Sequence, residues 1–215
     1  MRRRLYSEFA RVGAALASDR RLELIDLLAQ SPRNVDSLAR ETGMSVASVS
    51  QHLQVLHNAK LVEAERLGNR TLYRLSDARV LRLWLTLQGV GERRLPEVDQ
   101  ILRLYAGDRT GSPLSRAELQ ALRETDGVCI VDVRPRPEYD NGHLPGAISM
   151  PLAELLDRLD ELPRDRRIVT YCRGIYCEMS GDAETLLREE GFDVVRLEGG
   201  WPEWFDEGRP VSLEH

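Results

Sequence analysis

The 215-residue chain has only three cysteines, an odd number and too few for the disulfide framework of a small secreted domain, so a reducing, cytoplasmic setting is expected. It has no apolar run near the ~20 residues that a membrane span requires, so no membrane partner is expected. The N-terminal MRRRLYSEFA is basic, but no apolar stretch follows it, which argues against a secretory signal. Nor does one sign of charge run throughout. Met1 to Thr110 carries 18 Arg or Lys against 13 Asp or Glu, whereas from Gly111 onward the counts are 12 and 22. A basic first half and an acidic second half predict two domains, the first suited to a polyanion.

The first half has helical periodicity. Leu5, Phe9, Val12 and Leu16 form one stripe, and Leu22, Ile25 and Leu28 a second. Asn34 is placed to cap a short helix from Val35 to Glu41, Gly43 turns the chain, and Ser45 caps the next helix. Two short helices about a glycine turn predict a helix-turn-helix. On its second helix, Val46, Val49, Leu53 and Leu56 fall on the expected core side. The opposite side holds Ala47, Gln51, Gln54 and Asn58, flanked by Ser48 and Ser50. Small residues let a helix approach the major groove, and amides and hydroxyls can donate and accept at base edges. Next, LVEAERLGNRTLYRL alternates on both sides of Gly68-Asn69 and predicts a β-hairpin with Arg66, Asn69 and Arg70 at its tip, suited to phosphate contact.

The run DSLARETGMSVASVSQHLQVLHNAKLVEAERLGNRTLYRLS resembles the ArsR/SmtB family of winged helix-turn-helix repressors, across roughly Leu5 to Tyr105. The resemblance implies a homodimer, paired partly through terminal helices, that binds an inverted-repeat DNA operator. Asp77 to Tyr105, with Leu81, Trp84, Leu85 and Leu87, would supply a dimer helix, which Pro96 would kink or restart. The family's metal sensing does not carry over. VDSLARETG has no cysteine where a thiolate pair would fall, and Asp77 to Tyr105 has no histidine. His52 and His57 lie on the recognition helix and read as phosphate contacts or surface. No metal or other cofactor is expected.

GDRTGSPLS, Gly107 to Ser115, is rich in turn residues and reads as a linker centred on 107–113. Beyond it VCIVDV, RRIVTY and DVVRL read as strands, alternating with helix-like LAELLDRLDEL and EMSGDAETLLREEG. That order predicts an α/β domain with a mostly parallel sheet and helices on both faces. The boundaries expected are 1–106 for the mainly α DNA-binding and dimerisation domain and 114–212 for the α/β domain. Leu213, Glu214 and His215 read as the stub of an affinity tag.

In parallel sheets, ligands sit at the carboxyl ends of strands. Cys172 follows RRIVTY directly and a helix begins within about six residues, so loop N–H groups and a helix N-terminus surround it. Such a field favours a thiolate, and Cys172 is placed to be a nucleophile. Arg173 and Gly174 follow it in the same loop, and Cys177 stands five positions on. Cys129, mid-strand in VCIVDV, reads as inert core.

VDVRPRPEYDNGHLPGAISMP, YCRGIYC and LEGGWPEWFDEGRPV resemble a rhodanese domain over about Leu114 to Val211. The resemblance implies a sulfurtransferase fold whose loop cysteine, by position Cys172, carries sulfane sulfur as a persulfide. Asp132, Arg134, Glu138 and His143 are expected to hold the architecture. Thiosulfate-using members usually place an arginine five positions after the cysteine. Here that position is Cys177 and the next is Glu178, so weak thiosulfate turnover is expected, and low-molecular-weight persulfides are the favoured donors. Cys177 then reads either as a resolving thiol that attacks a persulfide on Cys172, releasing sulfide to leave a disulfide or trapping sulfur as a polysulfide bridge, or as a small packed residue. The combined reading is a repressor that senses or transfers reactive sulfur. A sulfurtransferase merely localised or dimerised by the winged helix, and a dithiol arsenite or oxidant sensor, are its rivals.

Overall fold

The computed structural model describes residues 2–106, 112–123 and 127–213, the side chains of Tyr105 and Ala106 excepted. The expected linker falls largely on 107–111, and the last two tag-like positions on 214–215, all outside the described residues. The chain divides into two compact units, Met1–Val90 and Gly91–His215.

The first unit runs α1 (Arg2–Leu16), α2 (Asp19–Gln30), α3 (Val35–Thr42), α4 (Val46–Asn58), β1 (Val62–Leu67), β2 (Arg70–Leu75) and most of α5 (Ala78–Arg94). The expected caps are present. The Asn34 side chain accepts the Ser37 N–H at 2.8 Å, and the Ser45 hydroxyl accepts the Ser48 N–H at 3.1 Å. Gly43 closes α3 at φ +68, the left-handed conformation that glycine adopts without steric cost. Leu24, Ile25 and Leu28 of α2, Leu38 of α3 and Val49, Leu53 and Leu56 of α4 form one core, with Leu81 of α5 also buried. The Trp84 indole N–H donates to Asp26 at 2.9 Å and ties α5 to α2.

The antiparallel hairpin turns at Gly68-Asn69, with Leu67 opposite Arg70. The Tyr73 N–H donates to the Arg33 carbonyl at 2.7 Å, and the Arg33 N–H to the Tyr73 carbonyl at 2.9 Å. This bridge fastens the wing to the segment that leads into α3.

Two sequence expectations fail in this unit. Val46 is 50% exposed, because it is the first residue of α4 and precedes the turn that meets the core. The α1 stripe is only partly inward. Val12 and Leu16 pack against the core, whereas Leu5 and Phe9 are exposed together with Tyr6. Leu83, Leu87 and Val90 of α5 also point outward.

The second unit contains α6 (Pro96–Ala106), which the sequence reading had grouped with the first unit. Pro96 restarts the helix, as its missing N–H allows at a first position. Then follow α7 (Arg116–Arg123), β3 (Val128–Asp132), α8 (Arg136–Asn141), β4 (Ile148–Ser149), β5 (Arg167–Cys172), α9 (Met179–Glu189), β6 (Val194–Gly200) and α10 (Trp201–Asp206). The four strands are parallel in the order β4-β3-β5-β6.

Alternation along the strands separates two cores, one on each face of the sheet. Cys129 and Val131 of β3 and Ile168 and Cys172 of β5 face Ala183 and Leu187 of α9. Ile130 of β3 and Val169 and Tyr171 of β5 face Leu119 of α7, Tyr139 of α8 and Trp201 and Trp204 of α10. LAELLDRLDEL forms the helix expected, wound as 3₁₀ rather than α. Leu152–Glu161 forms 3₁₀ turns broken at Arg158 (φ −125, ψ 21). Leu152, Leu155 and Leu159 still face the core.

Candidate functional site

The loop between β5 and α9 carries Cys172, Arg173, Gly174 and Cys177. It is held from below by glycine and carboxylate. Gly174 has φ +140, and its carbonyl accepts the Cys177 N–H at 3.1 Å, which closes the turn. A Cβ on Gly200 would collide with the Cys172 carbonyl and the Gly174 amide, so only glycine lets the end of β6 pass so close beneath the loop. The Glu203 carboxylate accepts the Gly200 N–H at 2.8 Å and also the Ile175 N–H. Burial pushes its carboxyl up, against those bonds and the nearby Arg116 charge.

The two thiols are unequal. Cys172 is fully buried. Its sulfur lies 3.4 Å from the Ser180 hydroxyl and also meets the Ser180 N–H. Burial, followed by the neighbouring Cys177 thiol, pushes the Cys172 thiol well above the ordinary range. Cys177 is half-buried. The neighbouring Cys172 thiol, the Arg173 and Met179 N–H groups and the Arg173 charge favour its thiolate, outweigh burial and bring Cys177 down to about 7. The thiolate-favouring field expected at Cys172 is therefore spent on Cys177, because Cys172 lies deeper, under the first turn of α9.

The Arg173 side chain pairs with a carboxylate. Its guanidinium Nε lies 3.0 Å from each carboxylate oxygen of Glu138, a buried residue of α8. Arg196 of β6 is likewise engaged, 2.8 Å from Glu184. Cys177 lines a cavity of about 800 Å³ whose wall includes Ile175, Tyr176 and Met179, with Val98, Ile101 and Leu102 of α6.

Behind the loop, Arg134 and Asp132 form a fully buried ion pair, and the Arg134 guanidinium also donates to the Gly142 carbonyl at 2.7 Å. The Tyr171 hydroxyl bonds Asp132. The His143 ring lies against Tyr139 with centroids 3.7 Å apart, and its Nδ1 is 3.0 Å from the Tyr139 carbonyl oxygen. Asp132, Arg134, Tyr171 and His143 thus make bonds within the fold.

Sequence reasoning missed Ser180, Gly200 and Glu203. Ser180 had a weak signal, as a hydroxyl in the first turn of the helix after the cysteine loop. The roles of Gly200 and Glu203 depend on how closely β6 passes β5, which spacing alone does not reveal.

In the other unit, Ala47, Ser50, Gln51 and Gln54 lie exposed along α4, with Ser48 half-buried at the edge of that face. The Gln54 amide donates to Asn58 at 2.8 Å. His52 and His57 are half-buried on the same helix. Arg66, Asn69 and Arg70 are exposed at the hairpin tip. The structure thus presents a polar helix face and a basic hairpin tip on one unit, and a dithiol loop on the other. No helix among the described residues is long and apolar enough to cross a membrane.

Comparison with known proteins gives two family matches: the bacterial regulatory proteins of the arsR family over residues 18–64, and the rhodanese-like domain over residues 115–207. The HTH-type transcriptional regulator Rv0324 of Mycobacterium tuberculosis is 47% identical over 217 residues, covering 97% of this chain and 94% of that protein. A sulfurtransferase of Allochromatium vinosum is 34% identical over 93 residues, 43% of this chain and 85% of that protein. Among solved structures, the homodimeric winged helix-turn-helix DNA-binding domain (fragment 1–100) of Mb0332 from Mycobacterium bovis is 45% identical. It covers 42% of this chain and 84% of that one, with a TM-score of 0.41.

Proposed function

The chain belongs to the ArsR-type transcriptional regulators in which the winged helix is fused to a rhodanese-like domain, and from that premise we propose that it is a sulfur-responsive repressor. A homodimer binds an inverted-repeat operator in double-stranded DNA. Sulfane sulfur from a low-molecular-weight persulfide loads the Cys172–Cys177 pair and lowers DNA affinity. The observation that carries this reading is the dithiol itself. Two free thiols stand on one loop at the start of α9, one buried and the other on the wall of a cavity and drawn toward the thiolate.

For DNA, α4 supplies Ala47 and Ser48 as close-approach residues and Ser50, Gln51 and Gln54 as base-edge donors and acceptors. Arg66, Asn69 and Arg70 reach phosphates. The outward Leu5, Tyr6 and Phe9 of α1 and Leu83, Leu87 and Val90 of α5 form apolar surface of the kind a second copy covers.

For sulfur, Arg173 and Gly174 shape the loop through their backbones. The Arg173 side chain is committed to Glu138, which leaves little free positive charge for a dianion such as thiosulfate. This favours a sensing site over rapid thiosulfate turnover.

The test is operator affinity, by fluorescence anisotropy, with and without glutathione persulfide. Affinity should fall at least tenfold in the wild type and stay unchanged in the Cys172→Ser, Cys177→Ser double variant. Unchanged wild-type affinity defeats the reading. Steady multiple turnover with sulfane donors and no effect on DNA binding would instead make the protein an enzyme.

A further inference from the structure

We infer that Cys177, not Cys172, is the thiol that takes sulfane sulfur from solution, and that Cys172 is a buried second station to which the sulfur is passed. The inference rests on the sulfur-handling reading above and reverses the order that loop position implies.

Access decides the order. Cys177 lies on the wall of the cavity of about 800 Å³ and also on that of a smaller one of about 200 Å³, whereas Cys172 lines neither. Cys172 has no exposed surface and sits under the loop, between Ser180 and the Gly174 and Cys177 carbonyls. A donor persulfide must bring its sulfane sulfur in line with the attacking sulfur and let its own thiolate depart. Cys177 has open space for that alignment and Cys172 has none unless the loop unfolds. The neighbouring Cys172 thiol and the Arg173 and Met179 N–H groups also favour the form that attacks.

The chemistry balances without an external oxidant. The Cys177 thiolate attacks the outer sulfur of R–S–SH, the donor S–S bond breaks, and R–S⁻ leaves to take a proton from water. Cys177 then carries –S–SH. The Cys172 sulfur attacks that outer sulfur while its proton passes to Cys177. The S–S bond on Cys177 breaks and one on Cys172 forms, giving Cys172–S–SH and Cys177–SH.

The experiment uses the full-length wild type and the Cys172→Ser and Cys177→Ser variants with one equivalent of glutathione persulfide. Samples are quenched over time and cysteine peptides are weighed for the gain of about 32 Da from one sulfur. Cys172→Ser should still load Cys177, more slowly than the wild type because the lost thiol no longer favours its thiolate, and hold the sulfur there. Cys177→Ser should load Cys172 at least roughly tenfold more slowly, even though removing the neighbouring sulfur eases ionisation of Cys172. Wild-type loading of Cys172 in Cys177→Ser, or an inert Cys172→Ser, overturns the inference. A parallel arm with substoichiometric iodoacetamide on the wild type reads thiol access without sulfur chemistry, and Cys177 should be labelled first. Labelling of Cys172 first overturns the proposed order. Labelling of Cys177 first together with no sulfur uptake by the wild type leaves its accessibility intact and overturns the sulfur reading.

Discussion

The Cys172 sulfur lies 3.7 Å from the Cys177 carbonyl oxygen, and the two cysteines of one short loop differ in burial and in acidity. Burial keeps the proton on Cys172, and the Arg173 and Met179 N–H groups hold charge on Cys177. The pair thus has a direction before any substrate arrives.

That direction sets a pH profile. Cys177 comes down to about 7 and titrates beside the Cys172 thiol and the Arg173 guanidinium, which Glu138 faces from α8. Its alkylation rate should rise with pH through a midpoint near 7 and level off by about pH 8.5. Cys172 should stay unreactive across that range. Peptide-resolved labelling between pH 5.5 and 9 checks both, and a midpoint above 8.5 for Cys177 would contradict the hydrogen-bond arrangement.

Gly200→Ala should damage the loop from beneath. The new methyl would collide with backbone on both sides, at the Cys172 carbonyl and the Gly174 amide, which cannot rotate away as a side chain could. The expected cost is about 1–3 kcal/mol, together with slower sulfur uptake. Thermal unfolding and persulfide labelling measure the two effects. Gly146→Ala meets no neighbour within 4 Å and, though its φ of +79 adds strain, should leave uptake unchanged.

Asp132→Ala removes the carboxylate paired with Arg134 where neither side chain has exposed surface, and leaves Glu138 as the remaining negative charge near the guanidinium. A loss of about 3–5 kcal/mol is expected from such a change. Denaturant titration reads it directly. A loss below about 1 kcal/mol would show that the Gly142 carbonyl and the aromatic faces of Tyr171 and Trp201 suffice to hold the cation.

On the DNA side, Gln51→Ala and Arg70→Ala should fail in different ways. Loss of a base-reading amide should weaken operator binding by roughly 5- to 150-fold and relax sequence preference, with little change in salt dependence. Loss of a phosphate-binding guanidinium should weaken all sequences alike and reduce the slope of log K against log salt by about one. Titrations of specific and scrambled duplexes at several salt concentrations separate the two.

Phe9→Glu places a charge where the side chain is 66% exposed on an apolar helix face. The folded unit should tolerate it, but a dimer covering that face should not. Sedimentation velocity should show a shift toward monomer, with operator affinity falling in step. An unchanged dimer would move the interface away from α1.

Much of this was legible in the sequence because it is local. Asn34, Gly43 and Ser45 act within a few residues of themselves, and the Gly68-Asn69 turn sets the register of its own hairpin. The strand before Cys172 and the helix after it were also readable from their apolar pattern. What escaped depends on depth and approach. No spacing rule says that Cys172 lies a layer below Cys177, or that β6 crosses close enough to require Gly200. The 3₁₀ turns at Leu152–Glu161 carry leucines at spacings of three and four that suit either helix type, and the break at Arg158 is a conformational fact without a sequence marker. Val46 shows the same limit at a helix end, where the apolar face has begun in sequence before it has a core to meet.

Tyr171 and Cys172 are neighbours in β5 that serve opposite faces of the sheet, the phenol toward Asp132 and the thiol toward α9. The strand therefore tolerates a change of letter better than a change of count. One inserted residue anywhere in β5 would exchange the two faces, putting a phenol where sulfur is handled and a thiol beside the buried ion pair. Drift in this lineage should accordingly gather as substitutions within β5 and as length changes only beyond its ends.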